Sequence, residues 1–383
     1  MNIKLVKDTI DFDDITKLIE WLKTNPRLTK GELTTEFERR WSEWLGVKYS
    51  VFVNSGSSAN LAAIYSLILS KRMRNNKIVV PAVSWVTTVT PAIQLGLEPI
   101  MCECDYDNLG LDINHLKEII KTEDPSTIIL VHVLGIPNNM TEILTLCEEN
   151  DILLIEDTCE SIGTKYKNKM VGTFGDLSTF SFYFGHHMST IEGGMISTDN
   201  EDLYHILLSI RSHGWDRDLP EKKQIELRTK YNIGDFRSLY TFYYPGFNLR
   251  ATDLQAFLGL GQLEKLDNIV HNRNKNYLRY KNEIKNTFWE IKEPEGSYVS
   301  NFSFPIITKN INKVVEELTK NNIECRPLIC GSINEHPFWY ERYGKQILNN
   351  SKLVHEYGLY LPNNHQMTDD ELTKVIKIVN ENI

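Results

Sequence analysis

Four stretches of this 383-residue chain carry residue types and spacings that could do chemistry. The first is Asn54-Ser55-Gly56-Ser57-Ser58-Ala59-Asn60, set between an apolar run and a helical pattern. Small residues let backbone N–H groups approach an anion, and the start of a helix adds a favourable dipole. The turn is built like a phosphate cradle around Gly56 and Ser57, although by itself such a turn is more often an ordinary helix cap. The second is Ile155-Glu156-Asp157, at the end of an apolar run. A carboxylate at a strand's C-terminal end sits where α/β sheets hold ligands, and a buried aspartate can pair with the protonated nitrogen of a pyridine ring. Taken alone, Asp157 reads equally well as the start of a turn. The third is Pro81-Ala82-Val83-Ser84-Trp85, whose Trp85 could stack on an aromatic ring, though a lone tryptophan more often belongs to a core or an interface. The fourth runs from Thr179 through Ser181 and the pair His186-His187 to Gly193-Gly194. Imidazole titrates near neutral pH and can serve as base and then acid in one cycle.

The elements that must position these groups are legible from periodicity. Apolar runs at 51–53, 78–80, 99–102, 128–133 and 153–155 read as strands, and all but the last precede helical spacing such as 59–70 or 141–149. Near-continuous apolar strands separated by helices predict a parallel sheet covered on both faces. Runs at 176–183 and 194–198 bring the expectation to a mixed, mainly parallel α/β sheet of about seven strands. The stretch 216–244 is polar, aromatic and weakly periodic, and reads as a long loop or lid of functional kind. A long helix is expected over 251–286, with Leu254, Leu258, Leu263 and Leu266 on one stripe. Beyond it, strands at 302–307 and 323–328, a helix at 311–321 and a last helix from Asp369 suggest a small α+β unit that N-terminal residues could join. The expected division is a large domain over 1–250, then a linking helix and small domain over 251–383.

A net charge of -9 argues against a nucleic-acid or membrane-surface partner, while a few local donors can still hold a phosphate. Residues 1–14 lack the apolar core of a signal peptide, and no segment approaches the roughly 20 apolar residues of a membrane span. The six cysteines, Cys102, Cys104, Cys147, Cys159, Cys325 and Cys330, are scattered like reduced thiols, so a cytoplasmic protein is expected.

In order and spacing the four stretches resemble the nucleotide-sugar aminotransferases of the DegT/StrS type, and the resemblance covers essentially the whole chain. It includes Gly246-Phe247-Asn248-Leu249-Arg250-Ala251-Thr252-Asp253, similar to the family's segment that reaches the neighbouring subunit's active site. The resemblance implies an aspartate-aminotransferase-like fold, bound pyridoxal phosphate and a homodimer with shared active sites. One departure matters more than the matches. In the family's transaminases a lysine stands five residues after the serine matching Ser181 and bonds covalently to the cofactor. Here that position is His186, and no lysine occurs between Lys169 and Lys222. Imidazole cannot form that bond, so the cofactor should be held non-covalently, most simply as pyridoxamine phosphate.

An aminated cofactor beside a histidine base resembles the sugar 3-dehydratases of the family. The segment Arg211-Ser212-His213-Gly214-Trp215-Asp216-Arg217-Asp218 resembles them too, as does Glu160, where transaminases tend to have glutamine. The implied reaction removes the C3 hydroxyl of a nucleotide-linked 4-keto-6-deoxy sugar, with GDP-linked 4-keto-6-deoxymannose chosen by resemblance alone. Ammonia is released, and L-glutamate restores the amine form. The implied roles are His186 as the catalytic base, with Gly56, Ser57, Trp85, Asp157, Glu160, Ser181 and, across the dimer, Asn248 around the cofactor. His213, Arg217, Arg250, Glu324 and Arg326 are candidates for the substrate, and His187 reads as a structural neighbour. Related iron–sulfur dehydrases need four cysteines clustered late in the chain. Only Cys325 and Cys330 follow His186, so no iron–sulfur centre, electron partner or metal is expected. The competing readings are an aminotransferase with a displaced base and a catalytically silent sugar- or cofactor-binding paralogue.

Overall fold

A computed structural model describes residues 2–383. Its centre is a seven-stranded sheet built from β1 (Tyr49–Val53), β2 (Lys77–Pro81), β3 (Glu98–Cys102), β4 (Thr127–Val131), β5 (Leu153–Asp157), β6 (Leu177–Ser181) and β7 (Gly194–Thr198). The spatial order is β1-β7-β6-β5-β4-β2-β3. Only β7 runs antiparallel to its neighbours, so the expected mixed, mainly parallel sheet is found. Successive side chains of a strand face opposite sides of the sheet, and here both sides are covered. Ile78, Val80, Ile129 and Ile155 pack with helices Gly56–Ser70 and Glu201–Arg211. Val79, Ile128, Leu130 and Leu154 pack with helices Ile113–Glu123 and Met140–Glu149 on the other face. This two-sided burial is why the strands read as unbroken apolar runs. Each such side chain contributes about 1.5–3 kcal/mol when fully removed from water.

The parallel strands matter because their C-terminal ends all reach one edge of the sheet, where such folds bind ligands. The long helix Asp253–Glu283, closed at its start by a capping box between Thr252 and Gln255, lays Leu263 and Leu266 against Phe37, Trp41 and Phe180. Its other half packs Tyr277 and Tyr280 into a separate core with Trp289, Leu318 and Val375. That core is covered by strands Phe304–Ile307, Gly358–Leu361 and Arg326–Pro327, and by helices Ile311–Lys320 and Asp369–Asn382. The N-terminal segment reaches it, with Ile3 bridging Ile323.

Three differences from the sequence expectation have physical causes. The stretch 216–244 is not one loop: it holds helices Glu221–Lys230 and Asp235–Ser238. Only Leu227 and Ser238 of those helices are buried, so they leave little apolar periodicity to read. The strand expected over 128–133 ends at Val131, because Val133–Gly135 turns as a 3-10 helix in which Leu134 adopts a left-handed conformation. Helices Pro337–Tyr343 and Asn349–Tyr357 and the strand Gly358–Leu361 lie where no element was anticipated.

Candidate active site

The site assembles where β1, β2, β4, β5 and β6 end. After β1, Ser55 is the helix cap, its Oγ accepting the Ser58 N–H at 3.1 Å. Gly56 and Ser57 are then first-turn residues, whose N–H groups have no helical carbonyl to bond. A Cβ on Gly56 would lie 2.6 Å from that of Ser181, so this approach of the turn to β6 admits only glycine. The cap reading and the cradle reading thus fall on different residues of one turn.

At the end of β5, alternation sends Glu156 and Asp157 to opposite faces. Buried Glu156 accepts the N–H groups of Gly172, Phe174 and Gly175 at 2.8, 2.7 and 2.7 Å and contacts His132, which pins a loop behind the sheet. Asp157 turns the other way. Its Oδ2 accepts from Asn60 Nδ2 at 2.8 Å and Thr88 Oγ1 at 2.7 Å, and its Oδ1 from the Cys159 N–H at 3.1 Å. A carboxylate has about four acceptor positions, so one remains toward the ligand space.

That space is a cavity of about 480 Å³ lined by Gly56, Ser57, Trp85, Asp157, Glu160, Ser181 and His186, among others. Tyr183, Phe302 and Ile329 add apolar wall, and Trp85 is 53% exposed at the cavity's boundary. His186 donates its N–H to Tyr183 O at 2.9 Å, and its ring lies against Phe302 with centroids 5.3 Å apart. Its Nδ1 is buried without a hydrogen-bond partner. Burial, followed by the positive charge of Arg273, pushes the imidazole down to about 4, so it is neutral at physiological pH. Glu160 is shifted the opposite way. Burial, assisted by the charge of Asp157, outweighs the Leu134 N–H on its carboxylate at 2.8 Å and pushes it up to about 8. A neutral imidazole and a protonated carboxyl therefore face one cavity. His187 is fully buried, bonded through Nε2 to Ser300 O at 3.1 Å and held well below the ordinary histidine range, a structural arrangement.

Six expected site residues lie elsewhere in this chain. Glu324 is used structurally: its Oε2 accepts the Leu5 N–H at 3.0 Å and fastens the N-terminal segment. Arg326 is exposed on its short strand and bonds its neighbour's carbonyl, Cys325 O, so neither residue lines the cavity. His213 borders a shallow aromatic pocket with Trp215, Tyr240 and Phe242. Arg217 and Arg250 border a second cavity of about 370 Å³ with Arg27 and Lys30. The Arg217 guanidinium stacks 3.9 Å from the Trp215 ring, and Arg250 Nε donates to Asn248 Oδ1 at 3.0 Å.

Sequence reasoning missed Thr88 and Arg273 and named Asn60 only as part of its turn. Thr88 is one hydroxyl in an ordinary helix. Arg273 carried one signal, a charge on an otherwise buried helix stripe. The donor set fits a phosphorylated pyridine: an anion-binding helix start and a buried, oriented carboxylate on the same cavity, with an aromatic plane beside them.

The comparisons agree with this geometry. Residues 9–380 match the DegT/DnrJ/EryC1/StrS aminotransferase family. The chain is 36% identical over 385 residues to the GDP-4-keto-6-deoxy-D-mannose 3-dehydratase of Escherichia coli O55:H7, across 97% of this chain and 98% of that relative. A crystal structure of a mutant GDP-4-keto-6-deoxymannose-3-dehydratase with bound GDP-perosamine matches with a TM-score of 0.90 at 33% identity, over 99% of this chain and 100% of the other. Another, with a trapped PLP-glutamate geminal diamine, matches over the same shares, also with a TM-score of 0.90 at 33% identity. The aspartate-aminotransferase-like fold is thereby established, and this chain belongs to the DegT/DnrJ/EryC1/StrS aminotransferase family.

Proposed function

We propose that this protein is a pyridoxal phosphate- and pyridoxamine phosphate-dependent 3-dehydratase, a lyase acting on a GDP-linked 4-keto-6-deoxy sugar with L-glutamate as amine donor. The observation that carries the reading is a neutral imidazole, His186, where the family's lysine stands, on a cavity that keeps the other cofactor-holding groups. Asp157 would face the ring nitrogen, while Gly56, Ser57 and Ser181 would take the phosphate and Trp85 the ring face. The bound cofactor supplies an amine that condenses with the C4 ketone and a ring that accepts electrons.

The chain's own residues do the rest. Asn60 and Thr88 hold Asp157 in one orientation. Phe302, Tyr183 and Ile329 give the imidazole an apolar setting. His186 is free to take up a proton and then deliver it to the C3 oxygen, which leaves as water. Glu160, carrying its own proton, presents a donor to the same space.

A homodimer with shared sites is supported by Asn248, Arg217 and Arg250 lying away from the chain's own cavity. In a partner's site Arg217 and Arg250 would meet the sugar diphosphate, with His213 beside them. Six free cysteines, three of them buried, support a cytoplasmic setting. Among the described residues no helix is long and apolar enough to cross a membrane.

The test is incubation with pyridoxal phosphate, glutamate and GDP-4-keto-6-deoxymannose, followed by mass spectrometry. Loss of the C3 oxygen with release of ammonia is expected. A 4-amino sugar would overturn the reading in favour of an aminotransferase, and no turnover would favour a silent binding protein.

A further inference from the structure

Arg273 is 2% exposed, yet no acidic side chain pairs with it among the described residues. Its guanidinium is held by main-chain carbonyls alone. Nη1 donates to Asn363 O at 2.6 Å, Phe302 O at 2.8 Å and Asn301 O at 3.4 Å, and Nη2 to His186 O at 3.5 Å. Nε is buried without a partner. A buried, unpaired charge is costly, and burial accordingly pushes even this guanidinium down to about 9. Carbonyl dipoles offset part of that cost without cancelling the charge, as a carboxylate would.

We propose that Arg273 is a positioning residue for the proton-transfer histidine: it fixes the main chain of His186 and confronts its imidazole with an unneutralised positive charge. Three segments meet on the one guanidinium, namely the His186 loop, the stretch carrying Phe302 and the stretch carrying Asn363. Phe302 is also the ring against which His186 packs, so the same side chain sets both the imidazole's backbone and its platform. The charge acts on three histidines at once. His186, His187 and His365 are each held below the ordinary range, by burial first and by Arg273 next, and each has a buried Nδ1 without a partner.

Other groups face the imidazole as well. Asp157, Glu160, Glu192, Cys159, Tyr183 and Tyr360 line its cavity, His187 adjoins it in the loop, and His365, which shares the charge of Arg273, also feels Lys7 and Lys265. Arg273 is the charge whose effect on His186 comes next after burial. A lysine ammonium could keep the charge, whereas glutamine or methionine would remove it.

This inference rests on His186 being the proton carrier, and its direct readout is independent of turnover. The full-length protein, loaded with pyridoxamine phosphate and labelled in its histidine rings, is titrated by NMR, with His186→Asn identifying the signal. In the wild-type protein the His186 midpoint should lie well below the ordinary 6.5. A midpoint at or above that value overturns the proposal without any variant. In Arg273→Gln and Arg273→Met the midpoint should rise by about one unit. Arg273→Lys should leave it low, and the acid limb of kcat/KM should move in parallel. A folded charge-free variant with an unmoved midpoint overturns the proposal, as does a lysine variant that behaves like methionine. If the midpoint moves but the product is not a 3-deoxy sugar, the functional reading fails and the positioning role stands. If the product is right and the midpoint is unmoved, the positioning role alone fails.

Discussion

At the scale of single residues, chemistry turns on protonation states that burial sets. His186 is neutral because a charge there would be desolvated and would face Arg273, so it enters the reaction as a base. Changing His186 to Asn keeps a polar, uncharged side chain and removes the proton carrier. Elimination should fall at least a hundredfold, the range general-base catalysis supplies, while cofactor binding stays near normal. Equilibrium titration of the cofactor and single-turnover assays check the two halves, and retained elimination would point to another base. Borohydride should leave the wild-type cofactor extractable, since no lysine stands at the site to be reduced onto it. Glu160 gives a pH prediction of opposite character. In the folded, cofactor-free chain it keeps its proton to about pH 8, whereas in the unfolded chain it releases it near 4.5. Between those values the unfolded state binds fewer protons, so this group's contribution to stability falls as pH rises from 4.5 to 8. Glu160→Gln removes that dependence. The melting temperature of the variant should therefore gain on wild type steadily from pH 5 to pH 8, and parallel curves would show that Glu160 ionises normally.

At the scale of elements, the catalytic turn is held by charges that do no chemistry. Arg211, at the end of its helix, is 1% exposed and pairs with Glu38 from the helix Glu32–Leu45. It also donates to Phe52 O on β1 at 3.0 Å and to Asp218 at 3.2 Å, while Lys30 closes on Asp218 at 3.0 Å. Glu38 in turn accepts the Phe52 N–H at 2.8 Å. The network fastens β1 just before the Ser55-Gly56-Ser57 turn, so it acts on the site through the backbone. Removing one member leaves an uncompensated buried charge. Arg211→Met should destabilise by about 3–5 kcal/mol, read as a lower denaturant midpoint. Adding Glu38→Leu should recover part of the loss, because the two residues are coupled. No recovery would mean that packing, not charge, is what Arg211 provides.

At the scale of the whole molecule, the proposed dimer makes a sharper prediction than size alone. If Asn248 serves the neighbouring site, His186→Asn and Asn248→Ala subunits complement each other. Each protein alone should be nearly inactive. A refolded equal mixture should recover about a quarter of wild-type turnover, because half the dimers are mixed and each has one intact site. An inactive mixture of well-formed dimers would place Asn248 in its own subunit's structure only. The proposed division after residue 250 belongs to this scale too. The long helix contributes Leu266 to one core and Tyr280 to another, so it joins the two parts rather than lying wholly in either.

The sequence by itself determined the strand order in time, the alternation of strands and helices, and the chemical kinds gathered at strand ends. These are local properties, since apolar periodicity and small-residue turns are written in contiguous residues. Asp157 and the Gly56–Ser57 turn are legible because a parallel sheet sends its strand ends to one edge, whereas Glu160, Ser181 and the role of His186 rest on the resemblance of whole motifs to a family. Only the tertiary structure decided which of those groups is charged. His186 and Glu160 are shifted by burial and by residues 87 and 3 positions away, Arg273 and Asp157. It also sent Glu324 to an N-terminal amide and Arg250 to a second cavity, and broke the expected lid into two helices. Desolvation and long-range pairing depend on what packs around a group, and a linear pattern does not record that.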